Sequence, residues 1–256
     1  MSLRQWQRKY VIGGVAILPI APFLYVQGQI TRWKVGVLPG AAGETSGVSG
    51  NGGGEPAKLF VIGESTVAGL GARTHELALA GQFAMRISER IGRPVRWTVV
   101  GKNGVTARRT INELLPEMPD EQFDYILVGL GGNDVMKLSS PNVWRRDMTE
   151  LLTLLRERNP EAVIFLSNCP MIKMSPVIPH PAKAILWHLS QMHDANIREF
   201  TLEMDRVFYY PQPADVPLEG FFADGVHPSE RGYADWATAM MRYFDEHHEW
   251  QNHKPI

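Results

Sequence analysis

The chain has 256 residues, enough for one sizeable hydrophobic core or at most two small domains. Apolar residues make up 44% and charged residues 21%, which excludes a wholly disordered chain. A formal net charge of -1, without a dense Lys/Arg block, leaves no basic footprint for a nucleic-acid partner. The single cysteine, Cys169, excludes an internal disulfide or a cysteine-rich zinc site, and its place after an apolar run reads as a small buried residue at a strand end.

In chain order, Arg4, Arg8 and Lys9 precede an apolar run from Tyr10 to Val26, 17 residues long and at the lower limit for spanning a bilayer. Pro19 and Pro22 predict a kink in any helix there. Residues 1–30 therefore carry three readings: an uncleaved anchor, a secretory signal, or an apolar arm on the domain or a membrane surface. The first two readings place the protein at a membrane or outside the cell, and the third also allows a cytoplasmic one. No small-x-small cleavage site follows, and Arg32 and Lys34 weaken the charge asymmetry that would orient an anchor. Residues 31–57 read as a linker, because the stretch from Gly40 to Pro56 is dominated by Gly and Ser and has little to bury. A folded domain is expected over 58–256.

Within it, Leu59 to Ile62 is a short apolar strand, and Thr74 to Ile91 has helical spacing at Leu77, Phe83, Ile87 and Ile91. Further strands are predicted at Val95 to Val100, Tyr125 to Leu130, Ala162 to Leu166 and Val207 to Tyr210. Helices are predicted over Val143 to Arg158, Ala182 to Met204 and Ser229 to Glu246, the last with Ser229 as N-cap. Strands that are nearly continuous apolar runs and alternate with helices imply a five-stranded parallel sheet covered on both faces, an α/β fold. Ligands in such sheets bind at the carboxyl ends of the strands.

The residues found after those ends carry the chemistry. Gly63-Glu64-Ser65-Thr66 follows the first strand and sets Ser65 among small residues, where a nucleophile or a helix cap would stand. Gly101-Lys102-Asn103-Gly104 follows the second, and Gly104 offers a bare N–H or simply makes a turn. Gly131-Gly132-Asn133-Asp134 follows the third, where the Asn133 amide could donate to an oxyanion or cap a turn. Before the last helix, Asp224-Gly225-Val226-His227-Pro228 spaces an acid three residues before a histidine on one turn. Histidine suits proton transfer near neutrality and needs an acceptor on its other nitrogen. Each piece has an ordinary structural reading; their order along one sheet edge favours a shared site.

Taken together, these four blocks resemble the SGNH hydrolase (GDSL-type esterase/lipase) superfamily, over about residues 58–245. The resemblance implies a three-layer, flavodoxin-like fold. It implies Ser65, Asp224 and His227 as a catalytic triad, with Ser65, Gly104 and Asn133 forming the oxyanion hole. It also implies hydrolysis of carboxylic esters through an acyl-enzyme, with no metal and no organic cofactor. Glu64 departs from the family, which usually has Asp before the serine. Two other readings keep the fold: an esterase for O-acetyl groups on sugars, and an inactive, membrane-tethered binding protein.

Seven further histidines, His75, His180, His188, His193, His247, His248 and His253, form no ligand cluster in the sequence, and the last three read as a solvated tail. The Pro-rich stretch from Pro170 to Trp187 mixes Met, Ile and Trp. It reads either as an acyl-binding wall, with Met171, Ile172 and Met174 against the substrate, or as a packed connector. In the first case the partner is a small-molecule ester with an apolar acyl chain.

Overall fold

The computed structural model describes residues 2–214 and 219–252. Six strands form one sheet: β1 (Ser46–Ser49), β2 (Ala57–Gly63), β3 (Val95–Gly101), β4 (Tyr125–Gly129), β5 (Val163–Leu166) and β6 (Val207–Tyr209). Their spatial order is β1-β3-β2-β4-β5-β6. Every pair is parallel except β1 with β3, which is antiparallel at the sheet edge. Five parallel strands are present as expected; the sixth strand is a correction to the expected count. It lies in the Gly/Ser-rich stretch taken for a flexible linker. Gly47 pairs with Trp97, and a Cβ on Gly47 would lie 2.4 Å from the Trp97 ring, so the low-complexity composition serves close packing. Ser49 Oγ accepts the Trp97 indole N–H at 3.0 Å, which fastens the edge.

The sheet's pleat sorts its side chains into two cores. Leu59 and Val61 face one side with Phe83 and Ile87 of α3 (Leu79–Ile91) and Met240 and Phe244 of α8 (Glu230–His247). Phe60 and Ile62 face the other, with Trp144, Leu151 and Leu155 of α6 (Pro141–Arg158) and Ile197 and Phe200 of α7 (Ala182–Thr201). Alternation along a strand with both faces covered makes the strand read as one apolar run. Chain termini of the helices follow their capping residues: Ser229 Oγ accepts the Gly232 N–H at 3.1 Å, and Gly92 closes α3 with φ +69°. α3 starts later than expected because Thr74 to Ala78 are spent on turns whose amides bond the Thr74 carbonyl.

Three features lie outside the expectation from sequence. Between β3 and β4 the chain makes a broken helical run, α4 (Ala107–Arg109) followed by a π-turn and a 3-10 turn to Glu117. A short α5 (Gly132–Met136) begins at the Gly-Gly-Asn-Asp block. The C-terminal segment expected as a solvated tail is so only in part: His247 is exposed with its ring on Tyr243 at 4.2 Å, whereas His248 is half-buried beside Phe208 at 4.7 Å and Trp250 is fully buried. His253 lies outside the described residues.

The N-terminal segment is helical from end to end, as α1 (Leu3–Ile17), a 3-10 turn at Leu18–Ile20, and α2 (Ala21–Val35). Pro19 and Pro22 fall where the 3-10 turn joins the helices. The helix runs longer than the expected apolar stretch and extends into the residues taken for linker.

Candidate active site

The site forms where the strand order reverses, at the carboxyl ends of β2 and β4, the place a doubly wound sheet leaves open for a ligand. β2 ends at Gly63, whose φ of +156° turns the chain so tightly that a Cβ would lie 2.0 Å from the Gly129 carbonyl oxygen of β4. The chain then coils on itself: the Val67 and Ala68 amides both donate to the Glu64 carbonyl at 2.9 Å, and the Leu70 amide donates to that of Ser65 at 3.1 Å. Gly71 abuts Pro228, with room for no side chain, so the serine loop is pressed against the turn that carries His227.

That turn is held by its own aspartate. One carboxylate oxygen of Asp224 accepts the backbone N–H groups of Val226 and His227 at 2.8 and 2.7 Å. The other lies 2.8 Å from His227 Nδ1. Burial raises the Asp224 carboxyl, but the hydrogen bonds from His227 and Val226 outweigh it and hold the group below its usual range. An ionised Asp224 is an acceptor only, so the proton belongs on Nδ1 and the Nε2 lone pair is free. Nε2 lies 3.2 Å from Ser65 Oγ. Ser65, His227 and Asp224 thus stand in one hydrogen-bonded line, and Ser65 is only 8% exposed.

Asn133 sits beside Ser65 through a residue whose role the sequence alone did not reveal. The Glu64 carboxylate accepts the Gly132 N–H at 2.7 Å, the Asn133 N–H at 2.7 Å and the Asn133 side-chain Nδ2 at 2.5 Å. One of the two amide hydrogens of Asn133 is therefore committed to Glu64 and the rotamer is fixed, leaving the other to donate elsewhere. Burial pushes the Glu64 carboxyl up to about 7, against the pull of the Asn133 and Gly132 hydrogen bonds toward the ionised form. A second carboxylate, Asp134, accepts the Ala107 N–H at 2.9 Å and the Ser139 hydroxyl at 3.1 Å, tying the loop after β3 to the loop after β4. Burial raises its carboxyl to about 6. The signal for both in the sequence was an acidic residue inside a Gly-rich strand end, where water-exposed turn residues are the usual reading.

Gly104 has φ +82° and open space where a Cβ would stand, so the backbone there is bare. Its carbonyl is held by Lys137 Nζ at 2.8 Å and by Arg109 at 3.2 Å. The loop after β5 also reaches the site: Ser175 Oγ donates to the Gly225 carbonyl at 2.7 Å and Val177 packs on Gly225. Of the three residues expected to line a substrate wall, Ile172 is buried in a small cluster with Val135, Ile178 and Leu186, so it holds the loop together. Met171 and Met174 are half-buried. Among the described residues no three His, Cys, Asp or Glu side chains gather as a metal site.

Residues 61–234, more than half of the chain, match the GDSL-like Lipase/Acylhydrolase family. The chain belongs to this family. The matched span opens within β2, just before Ser65, and closes inside α8, just after His227, so it contains every block described above. Solved structures of GDSL proteins and other esterases share its fold. A lipase from a goat rumen metagenome has a TM-score of 0.60 at 16% identity, over 76% of this chain and 99% of that one. A lipolytic protein of the G-D-S-L family from Desulfitobacterium hafniense DCB-2 gives 0.52 at 14% identity, over 73% and 98%. A family two carbohydrate esterase from Clostridium thermocellum gives 0.54 at 13% identity, over 77% and 66%. At such identities the likeness carries the fold alone. No curated protein matches the chain.

Proposed function

We propose that this GDSL hydrolase is a serine esterase that cleaves carboxylic esters by acyl transfer to Ser65. The observation that carries the reading is the line from Ser65 Oγ to His227 Nε2 at 3.2 Å and from His227 Nδ1 to Asp224 at 2.8 Å. A serine hydroxyl is a weak nucleophile until a base takes its proton, and the line supplies the base and its orienting acceptor.

In this mechanism His227 Nε2 removes the Ser65 proton as Oγ bonds to the ester carbonyl carbon. Negative charge collects on the carbonyl oxygen. The Ser65 and Gly104 backbone N–H groups and the free Asn133 amide hydrogen stabilise it, with Glu64 as the positioning residue behind Asn133. His227 then gives its proton to the leaving alcohol as the ester C–O bond breaks. Water, deprotonated by His227, attacks the acyl-serine, and the acid departs as Ser65 regains its proton. Asp224 stabilises the imidazolium in both halves.

The acyl group is apolar in this reading. Met136, Leu138 and Val226 are exposed apolar residues on the two loops that carry Asn133 and His227, and Met171 and Met174 lie on the loop that packs on Gly225. The test is hydrolysis of p-nitrophenyl esters from acetate to palmitate by the protein and its Ser65→Ala variant. Activity confined to the parent, with an optimum at medium or long chains, is expected. An optimum at acetate would favour the O-acetyl reading, and equal rates in both proteins would remove Ser65 from the chemistry.

A further inference from the structure

The N-terminal helix is engaged along one face only. Its half-buried positions are Leu3, Trp6, Gln7, Tyr10, Gly14, Ile17, Leu24, Gln27, Thr31 and Val35, a stripe that returns every three or four residues through both α1 and α2. Three polar side chains on that stripe bond the folded part of the chain. Gln7 accepts the Asn142 N–H at 3.1 Å at the start of α6. Tyr10 donates to the Leu138 carbonyl at 2.6 Å, just beyond α5. Gln27 donates to the His180 carbonyl at 2.8 Å and accepts the Ala182 N–H at 3.3 Å, where the loop after β5 enters α7. Leu138 follows the Asn133 block, and the His180 loop is the one that packs on the His227 turn. The helix is thus a strap that touches both rims of the candidate site.

Among the described residues nothing covers the opposite face. Val15, Leu18, Phe23, Tyr25, Val26 and Trp33 are each more than half exposed, Trp33 at 82%. No charged residue stands between Lys9 and Arg32, while Arg4, Arg8 and Lys9 lie at one end and Arg32 and Lys34 at the other. By length and composition the helix is apolar enough to cross a membrane. A soluble monomer rarely leaves a continuous apolar face of this kind in water. Basic residues flanking an apolar run meet anionic headgroups at a bilayer surface, whether the run lies on the bilayer or crosses it. Spanning would be an alternative for such a run, but it would pull Gln7, Tyr10 and Gln27 away from their partners. Those partners are spread over about 30 Å of helix, the rise of the 20 residues from Gln7 to Gln27.

We propose that α1 and α2 form a monotopic membrane-binding strap, its inner face fixed across α6, α7 and the two loops at the site's rim, its outer face seated in the interfacial layer of a bilayer. On the inner side Tyr10 bonds Leu138, and Leu138 and Met136, both exposed, stand between the strap and Asn133. Because the strap bonds Leu138 on one rim and the His180 loop on the other, it would hold the site near the lipid surface, and the substrate class that follows is an ester resident in the membrane, an amphipathic lipid. This last clause rests on the esterase reading; the binding does not.

The two are separated by testing binding on the full-length Ser65→Ala variant, which cannot turn lipid over. It is mixed with phosphatidylcholine–phosphatidylglycerol vesicles and sedimented, extracted with alkaline carbonate, and its Trp33 fluorescence is read against lipids brominated at shallow or deep positions, with a Trp33→Phe control. Sedimentation with the vesicles, release by carbonate and quenching by the shallow label are expected. Changing Phe23, Val26 and Trp33 together to Ser should cut vesicle partition about tenfold or more, while the same change in the active protein leaves p-nitrophenyl acetate hydrolysis intact and depresses hydrolysis of vesicle lipid. Failure to sediment, or carbonate-resistant insertion with deep quenching, overturns the strap. Vesicle binding by the variant with no hydrolysis of any ester by the parent would sink the esterase reading and leave the strap standing.

Discussion

Glu64 is the residue where the chain departs from its family and where the structure assigns the departure a task. Its carboxylate gathers three N–H donors from Gly132 and Asn133, so the amide proposed to face the developing oxyanion is held from behind. Glu64→Gln leaves one oxygen to accept and sets an NH2 against a donor, and turnover should fall about ten- to a hundredfold, as for a weakened oxyanion donor, with KM little changed. Steady-state kinetics that split kcat from KM check this; an equal loss in both would point to a collapsed site. The carboxyl also couples stability to pH. Its folded value of about 7 stands above the usual 4.5, so the folded state holds a proton that the unfolded chain has lost between those values. Its contribution is fully present below about 4.5 and is lost as pH rises through about 7, on the order of 3 kcal/mol. Melting curves from pH 4.5 to 8 should therefore show the Gln variant losing less stability with rising pH than the parent, whatever its starting Tm.

Ser65, Asn133 and the Asp224–His227 turn stood out in the sequence as candidates because each follows a strand end or precedes a helix; alone each also reads as a cap or a turn, and only their common order along one sheet edge joined them. Glu64 was visible only as an oddity. Its partners lie 68 and 69 positions away, and no local pattern reports a contact of that range. Ile172 was read as a wall residue because composition marks a side chain as apolar without telling which way it points; it is buried under its own loop.

At the scale of elements, the strands of the doubly wound sheet were legible because strands buried on both faces write themselves as apolar runs. β1 was not, since a Gly/Ser-rich edge strand has neither the β-branched residues nor the alternation that marks one. Its contribution is nonetheless structural: it covers Trp97 and completes the Ser49 bond. The meeting of β2 and β4 is tighter still. Gly63→Ala would place a methyl group 2.0 Å from the Gly129 carbonyl in a backbone conformation that L residues avoid. A loss of roughly 3 kcal/mol or more is expected from that clash and strain, read by urea unfolding. A variant as stable as the parent would show that the two strand ends are looser than described.

For the whole molecule, the sheet's switch point holds the candidate site, and the N-terminal helix is the segment proposed to hold the molecule at a bilayer surface. A chain beginning at Lys58, the boundary the composition suggests, would lose β1 and the Ala41–Ala68 backbone bond as well as the strap. It should melt several degrees below one beginning near Val37, which keeps the edge strand and loses only the strap; for a domain of this size a change of 1 kcal/mol moves Tm by about 2–4 °C. Equal melting of the two would make β1 dispensable. The helix itself was half legible. Length and hydropathy marked it as apolar, but only the stripe of contacts made by Gln7, Tyr10 and Gln27 distinguishes a strap from a tether.

The central claim is that Ser65 is a nucleophile activated by His227. A fluorophosphonate reacts far faster with a serine whose proton is being taken than with an ordinary one, so the direct measurement is peptide mapping of the adduct on the parent and on His227→Ala. A single adduct on the peptide bearing Ser65 is expected, with labelling slowed at least about a thousandfold in the variant, as when the base of a triad is removed. An unlabelled Ser65 in the folded parent, or equal labelling of both proteins, would contradict it.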